Sequence, residues 1–350
     1  MLELRSLLRE ITQRDGVSGF EQEMANYLSQ QFNSLVDDVR TDNLGNLIML
    51  KKGDKRFPRV ILCAHMDEIG LIVSKVEKGG FLRFISLGGF DVRTLPGQRV
   101  TIYGDETITG IIGFSPPHLQ TSQEKSKSAQ MDALFIDTGL AEKEVVKKIP
   151  VGSVAAIQRK FVELMNTSAA GKAFDDRAGV GVLWQCAEEL KKIAHQADVY
   201  YVATVQEEVG TRGAVVSAYG LSPDLGVAVD VCHGSFPGAK DHEVSELGKG
   251  PVITSGPNIH PGIAKRLVSV AKDYHLPCQK DVSPGPTGTD ARAIQVSMEG
   301  VPTGLLSIPL RYMHTSVELV DMDDVKVGGR LLAYFVAGLD DNLVEELSCL

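Results

Sequence analysis

Acids and histidines recur in this sequence where apolar runs end. "VILCAH" ends at His65, with Asp67 two residues on. "VYYVATV" leads through Gln206 into the pair Glu207–Glu208. "LGVAVDV" carries Asp230 and is followed by His233. "LLSIPLRYMHT" delivers His314, and "GKAFDDRAG" sets Asp175 and Asp176 just before a helical pattern. Each has a bland reading alone. A single histidine after a strand is more often structural, Asp176 fits a helix cap, and Asp230 fits a loop. All five segments, however, put metal-binding side-chain types where a parallel α/β sheet binds ligands, outside the carboxyl ends of its strands.

Two histidines with several carboxylates and no thiolate pair suit a borderline divalent cation: Zn²⁺, Co²⁺ or Mn²⁺. Two such ions ~3.5–4 Å apart need a carboxylate that bridges them. Each then takes roughly one histidine and one further acid. His65, Asp175, Glu208, Asp230 and His314 supply that set, and Glu207 is left over. Neighbouring strand residues point to opposite faces, but at a strand end entering a turn both can reach one cleft. Glu208 can then hold an ion while Glu207 takes a proton from a water between the ions, as general base. Asp67 suits a supporting role, accepting the second ring N–H of His65 and fixing its tautomer. Cys63 and Cys232 flank these positions but read as core residues, and His233 reads as structural or as a support to the ligands rather than as a ligand itself.

These side chains need a scaffold, and the texture of the chain divides into three. Residues 1–70 begin with an amphipathic helix bearing Leu4, Leu7, Leu8 and Ile11 on one side. A Ser18-x-x-Glu21 capping-box pattern then opens a second helix, and "RVILCAH" reads as a buried parallel strand. Residues 71–164 are short alternating strands between glycine turns, a small all-β module. Within it, 115–130 has few apolar residues and reads as a mobile loop. Residues 165–350 return to α/β, with helices predicted after Asp176, from Pro261 and over 323–338. The expected architecture is one α/β domain interrupted by a β insertion.

The bulk numbers narrow the function class. With 350 residues a large core is available. A net charge of −9 argues against a nucleic-acid partner. Five scattered cysteines without a C-x-x-C pair suit a reduced cytoplasmic interior. No signal peptide is visible, and the apolar run at 331–339 is too short to span a bilayer.

In order along nearly the whole chain, "GVSGFE", "AHMDEIG", "GKAFDDRAG", "VQEEVGTRGA", "AVDVCHG", "GPTGTDA" and "IPLRYMHT" resemble the M42 metallo-aminopeptidases, the family of glutamyl aminopeptidases and tetrahedral (TET) peptidases. The resemblance implies a zinc-peptidase-like α/β/α domain carrying a PDZ-like β-barrel used in dimerisation. It implies that Asp175 bridges two ions, with the bond after it cis. His65 and Asp230 would complete one ion, Glu208 and His314 the other, with Glu207 as base. It implies short peptides as substrates, and dimers that assemble into a dodecamer in which the 115–130 loop can reach a neighbour's site. It also suggests Gly288, Thr289 and Asp290 as pocket lining; Arg311 and Tyr312 stand between substrate contact and plain surface. An enzyme selective for acidic N-termini would need a cation in that pocket, and Lys249 and Arg292 are candidates that sequence does not rank.

Two other classes compete. A glycoside hydrolase also uses paired carboxylates, and some members of the family carry the name endoglucanase, but that chemistry gives His65 and His314 no work. A non-catalytic scaffold binding peptide tails through the β insertion leaves the whole acid and histidine set unexplained.

Overall fold

A computed structural model describes residues 3–116, 118 and 130–340. Most of the tract read as a mobile loop, 117 and 119–129, lies outside the described residues. The strands in chain order are β1 (Asp38–Thr41), β2 (Leu47–Lys51) and β3 (Arg59–His65); then β4 (Gly70–Val76), β5 (Leu82–Leu87), β6 (Arg99–Tyr103), β7 (Thr107–Gly113), β8 (Phe135–Asp137) and β9 (Val154–Ile157). There follow β10 (Val162–Glu163), β11 (Ser168–Gly171), β12 (Asp198–Thr204), β13 (Leu225–His233), β14 (Val252–Ser255), β15 (Gln279–Val282), β16 (Thr303–Arg311) and β17 (Glu318–Asp321).

The fold is mixed α/β. One large sheet runs β1-β2-β12-β3-β13-β16-β17-β11-β10, with β14 and β15 attached beside β16. Its centre, β12-β3-β13-β16, is parallel, and antiparallel pairs flank it on both sides. β3 is buried at every position after Arg59, which explains its unbroken apolar run. From β3 the chain passes to β12 on one side, then crosses back to β13 on the other. Strand order therefore reverses at β3, and the crevice at the carboxyl ends of these strands is where such sheets bind ligands. The helix Phe174–Leu190 is buried along almost its whole length, which accounts for its small residues and weak amphipathicity.

β4 to β9 close into a separate six-stranded antiparallel barrel, ordered β4-β5-β8-β7-β6-β9. The barrel has its own core, with Leu71, Phe84, Val100, Ile102 and Ile136 inside it. The helix Glu142–Lys148 seals that core with Val145; its acids stand in the first turn and its lysines in the last, as the helix dipole favours. A hydrogen bond from the barrel reaches an ion-pair network of the α/β body. Tyr103 Oη donates to Asp15 at 2.6 Å, Lys172 Nζ bridges Asp15 (2.5 Å) and Glu68 (2.8 Å), and Arg177 lies 3.5 Å from Glu68.

One local expectation fails. Ser18 and Glu21 form no capping box: the helix starts at Gln22, and no side chain caps it. The chain turns at Gly19, whose φ of +86° suits glycine. That turn swings Ser18 away from the helix, so its hydroxyl donates to Asp67 Oδ2 at 2.6 Å. Glu21 Oε1 instead accepts the N–H of Gly19 (2.7 Å) and of Gln206 (3.1 Å).

Candidate metal centre

The strand ends deliver the predicted side chains to one cleft of about 360 Å³, whose lining includes His65, Asp175, Glu207, Glu208, Asp230 and His314. His65 closes β3. Its Nε2 lies 3.1 Å from Asp175 Oδ1. The other Asp175 oxygen is 3.3 Å from His314 Nε2, which is also 3.4 Å from Glu208 Oε1. Two triads of potential ligand atoms result, each with every atom within 4.8 Å of the others: His65, Asp175 and Asp230; and Asp175, Glu208 and His314. Asp175 belongs to both. The Asp175–Asp176 peptide bond is cis.

Non-glycine residues with left-handed backbone cluster here: Ala173 (φ 57°), Gln206 (55°), Thr211 (51°), Tyr312 (62°) and His314 (59°). Such conformations are uncommon and persist where surrounding contacts over-determine them. After β12 the chain folds into a tight turn in which Glu207 O accepts the N–H of Gly210 (2.8 Å) and Thr211 (2.9 Å). The "GTRG" that follows the glutamates thus serves to present both of them at one strand end.

A layer of buried acids holds the backbone of this set. Asp67 accepts the N–H of Glu207 (3.0 Å) and of Glu208 (3.2 Å). Asp176 accepts the N–H of His65 (3.2 Å) and caps its own helix through Gly179 N–H (3.0 Å). A Cβ on Gly179 would stand 2.4 Å from both Asp176 oxygens, so the glycine of "DDRAG" makes room for that carboxylate. Glu318 accepts the N–H of Asp175 and of His314, both at 3.0 Å. Asp67 also faces the His65 ring, but the nearer contact to Nδ1 is its backbone carbonyl (3.2 Å) rather than its carboxylate (3.5 Å).

The electrostatics are those of crowded, buried negative charge. Burial pushes Glu207 up to about 9, helped by Asp230, Asp290 and Glu208 and opposed by His65. Burial also raises Glu208, and it carries Asp230 well above the carboxylate range. Hydrogen bonds to Asp175 and Glu208 raise His314 to about 11. Burial would lower His65, yet its bonds to Asp175 and Asp67 raise it well above the usual histidine range. Burial pushes Asp175 upward too, but His314 and His65 outweigh it and hold this acid below its ordinary value. Apart from Asp175, the members of the cluster thus bind protons more tightly than their residue types would in water. Divalent cations compete for such proton-loaded nitrogen and oxygen donors and release the protons on binding. The donor set and its two shared triads fit that role.

The remaining sequence candidates separate. Gly288 and Thr289 line the cleft, as do His233 and Cys232. Asp290 does not: it is 2% exposed and accepts the Thr204 hydroxyl at 2.6 Å. Arg311 turns away, its Nε donating to the Ser235 carbonyl, and Tyr312 leans towards Phe236. Lys249 and Arg292 are absent from the lining. His233 belongs to neither triad and stands exposed on the cleft wall. Cys63 is core, and burial raises the Cys232 thiol to about 12, far from the thiolate a ligand must be. Sequence reasoning missed Glu318, Ser18 and the barrel pair Gly88–Gly89. A Cβ on Gly89 would stand 3.0 Å from His314 Nδ1, and one on Gly88 would stand 3.2 Å from Glu208 Oε2. The turn after β5 therefore stands close against Glu208 and His314. Glu318 and Ser18 act through backbone and side-chain partners far away in the chain, and no local pattern marks them.

Comparison with known proteins bears on the same residues. The family model described as M42 glutamyl aminopeptidase matches residues 45–331. A lysyl aminopeptidase of Pyrococcus furiosus is 38% identical over 91% of this chain and 92% of its own. The structure of an aminopeptidase from the archaeon Desulfurococcus kamchatkensis superposes with a TM-score of 0.92 at 39% identity, covering 99% of this chain and 98% of that one. The Pyrococcus horikoshii TET1 peptidase, which can assemble into a tetrahedron or a large octahedral shell, superposes at 0.85 with 31% identity, over 96% of this chain and 100% of that one. The fold is thus shared over nearly the whole chain, and the chain is an aminopeptidase belonging to the M42 glutamyl aminopeptidase family.

Proposed function

We propose that the chain is a co-catalytic dinuclear metal aminopeptidase that removes N-terminal residues from short peptides. The observation that carries this reading is the sharing of Asp175 between two ligand triads. His65 and Asp230 would complete one position, and Glu208 and His314 the other. Zn²⁺ or Co²⁺ suits the donor set best, and Mn²⁺ is compatible. When bound, such ions polarise the scissile carbonyl and acidify water.

Glu207 shares the cleft with the triads and belongs to neither. Its role is to take the proton of the attacking water and pass it to the leaving amine. Asp67 aims Glu207 and Glu208 through their backbone N–H groups, while Glu318 and Asp176 do the same for Asp175, His314 and His65. Asp67 is therefore a positioning residue for the glutamate turn as much as for the His65 ring.

We assign residues 1–70 and 165–350 to the catalytic domain and 71–164 to an inserted dimerisation domain. The separate core of the barrel supports that division. Dimers would assemble further into a dodecamer, by likeness to the TET relatives. A cytoplasmic location agrees with four free cysteines among the described residues, where no helix is long and apolar enough to cross a membrane.

The test is a set of aminoacyl-p-nitroanilides assayed after chelation and after return of Zn²⁺, Co²⁺ or Mn²⁺. Activity should vanish with the chelator and return with metal. Turnover that survives complete metal removal would overturn the dinuclear metal reading.

A further inference from the structure

The relatives do not agree on a substrate: the matched family is described by glutamyl and the Pyrococcus furiosus relative by lysyl. The cleft itself carries a charge that can choose between them. Beyond the triads and Glu207, its walls include Val231, Val244 and Met313, which are apolar, and Glu243 and Asp281, which are acidic. No lysine or arginine stands among the lining residues.

An acidic first side chain would need a cation there. Lys249 and Arg292 are not in the cleft, and Arg311 is spent on the Ser235 carbonyl. Lys240 is the nearest partner, 3.0 Å from Glu243, but both side chains of that pair are more than half exposed. Such a pair is worth little and exchanges readily. Asp281 has no salt-bridge partner among the described residues.

The charge ledger points the same way. Asp175, Glu207, Glu208 and Asp230 bring four negative charges, which two divalent cations would balance. Of the two further acids on the wall, Glu243 has only exposed partners, Lys240 and His242, and Asp281 has no ion-pair partner among the described residues. Both acids sit with apolar wall residues, a combination that suits a long alkyl stem ending in a positive group.

Resting on the aminopeptidase reading, we propose that this cleft selects peptides whose first residue is lysine or arginine, with Glu243 and Asp281 as the specificity-determining residues that meet its charge.

The experiment compares kcat/KM for lysyl-, arginyl-, leucyl- and glutamyl-p-nitroanilide on the metal-loaded full chain. The same series is run on Asp281→Asn, Glu243→Gln and the double variant. Both residues are exposed, so the substitutions leave the core alone. Lysyl and arginyl substrates should lead, with the glutamyl substrate last. The lysyl-to-leucyl ratio should fall roughly tenfold in the double variant, since exposed charge pairs contribute only modestly. The ratio should also fall as salt is raised in the parent enzyme. A leucyl or glutamyl lead in the parent, or a ratio unmoved in the double variant, overturns the specificity while leaving the aminopeptidase reading intact. No turnover of any of the four overturns that reading itself, and the specificity with it.

Discussion

Asp67 accepts the backbone N–H of Glu207 at 3.0 Å across 140 positions of chain. The carboxylate assigned to move the proton is thus aimed by another carboxylate, one that is fully buried and also holds Glu208 and Ser18. Replacing it with alanine leaves two N–H groups and a hydroxyl without their acceptor. Asp67→Ala should cost about 3 kcal/mol in urea unfolding. It should also lower kcat more than it changes KM, because the loss falls on orientation rather than on substrate contact.

The adjacent glutamates should separate cleanly by role. Glu207→Gln should keep its metal content, measured by elemental analysis, while kcat falls about 10²–10⁴-fold. Glu208→Gln should lose metal. Equal metal loss in both would place Glu207 among the ligands.

Gly89 offers a test of what the turn after β5 does for the site. Its backbone needs no glycine-only conformation, so alanine changes only the space beside His314, where the new Cβ would stand 3.0 Å from Nδ1. Gly89→Ala should weaken metal retention about tenfold, read as the chelator concentration at half-activity. Circular dichroism should be unchanged. Unaltered retention would mean that the His314 ring moves aside at no cost.

Glu21 gives a pH signature. Burial raises it from 4.5 to about 7 in the folded chain. Below about 4.5 it is protonated folded or unfolded and contributes nothing; above about 7 it is ionised in both states, and the fold bears the full cost of the buried charge. Stability should therefore fall between those limits as pH rises, by up to about 3 kcal/mol. Glu21→Gln keeps the oxygen that accepts from Gly19 and Gln206 but carries no charge. The variant should be the more stable above pH 7, and the gap should close towards pH 4.5. Parallel urea-midpoint profiles for the two proteins would refute this.

Much of the site was legible in the sequence because its donors are of scarce types and stand at the ends of apolar runs. His65, Asp175, Glu207, Glu208, Asp230 and His314 reach one cleft for that reason. The alternation of short strands after Gly70 likewise announced an all-β module, which closes into the barrel. What stayed hidden has long-range causes. Asp176, beside Asp175 in sequence, also turns to the His65 backbone, a hydrogen bond that no local pattern marks. Glu318 serves Asp175 across 143 positions, and no periodicity encodes such a pairing. Short strands such as β10 and β15 carry too few residues for an alternating pattern and owe their form to the neighbour they pair with. Ser18 and Glu21 met a local rule, but tertiary hydrogen bonds to Asp67 and Gln206 took their side chains.

His65 and Asp175 meet although 110 positions separate them, and nearly all of that excursion is the barrel. β4 and β9, its first and last strands, pair with each other through Leu71 and Ala155. A barrel that has folded therefore ties off its own length, like a knot drawn in a slack line. The open loop left between the two residues is then a short one. Because closure entropy grows only with the logarithm of loop length, the saving is on the order of 1 kcal/mol. Once the inserted module has folded, the ligands can therefore converge as though they were near neighbours in the chain.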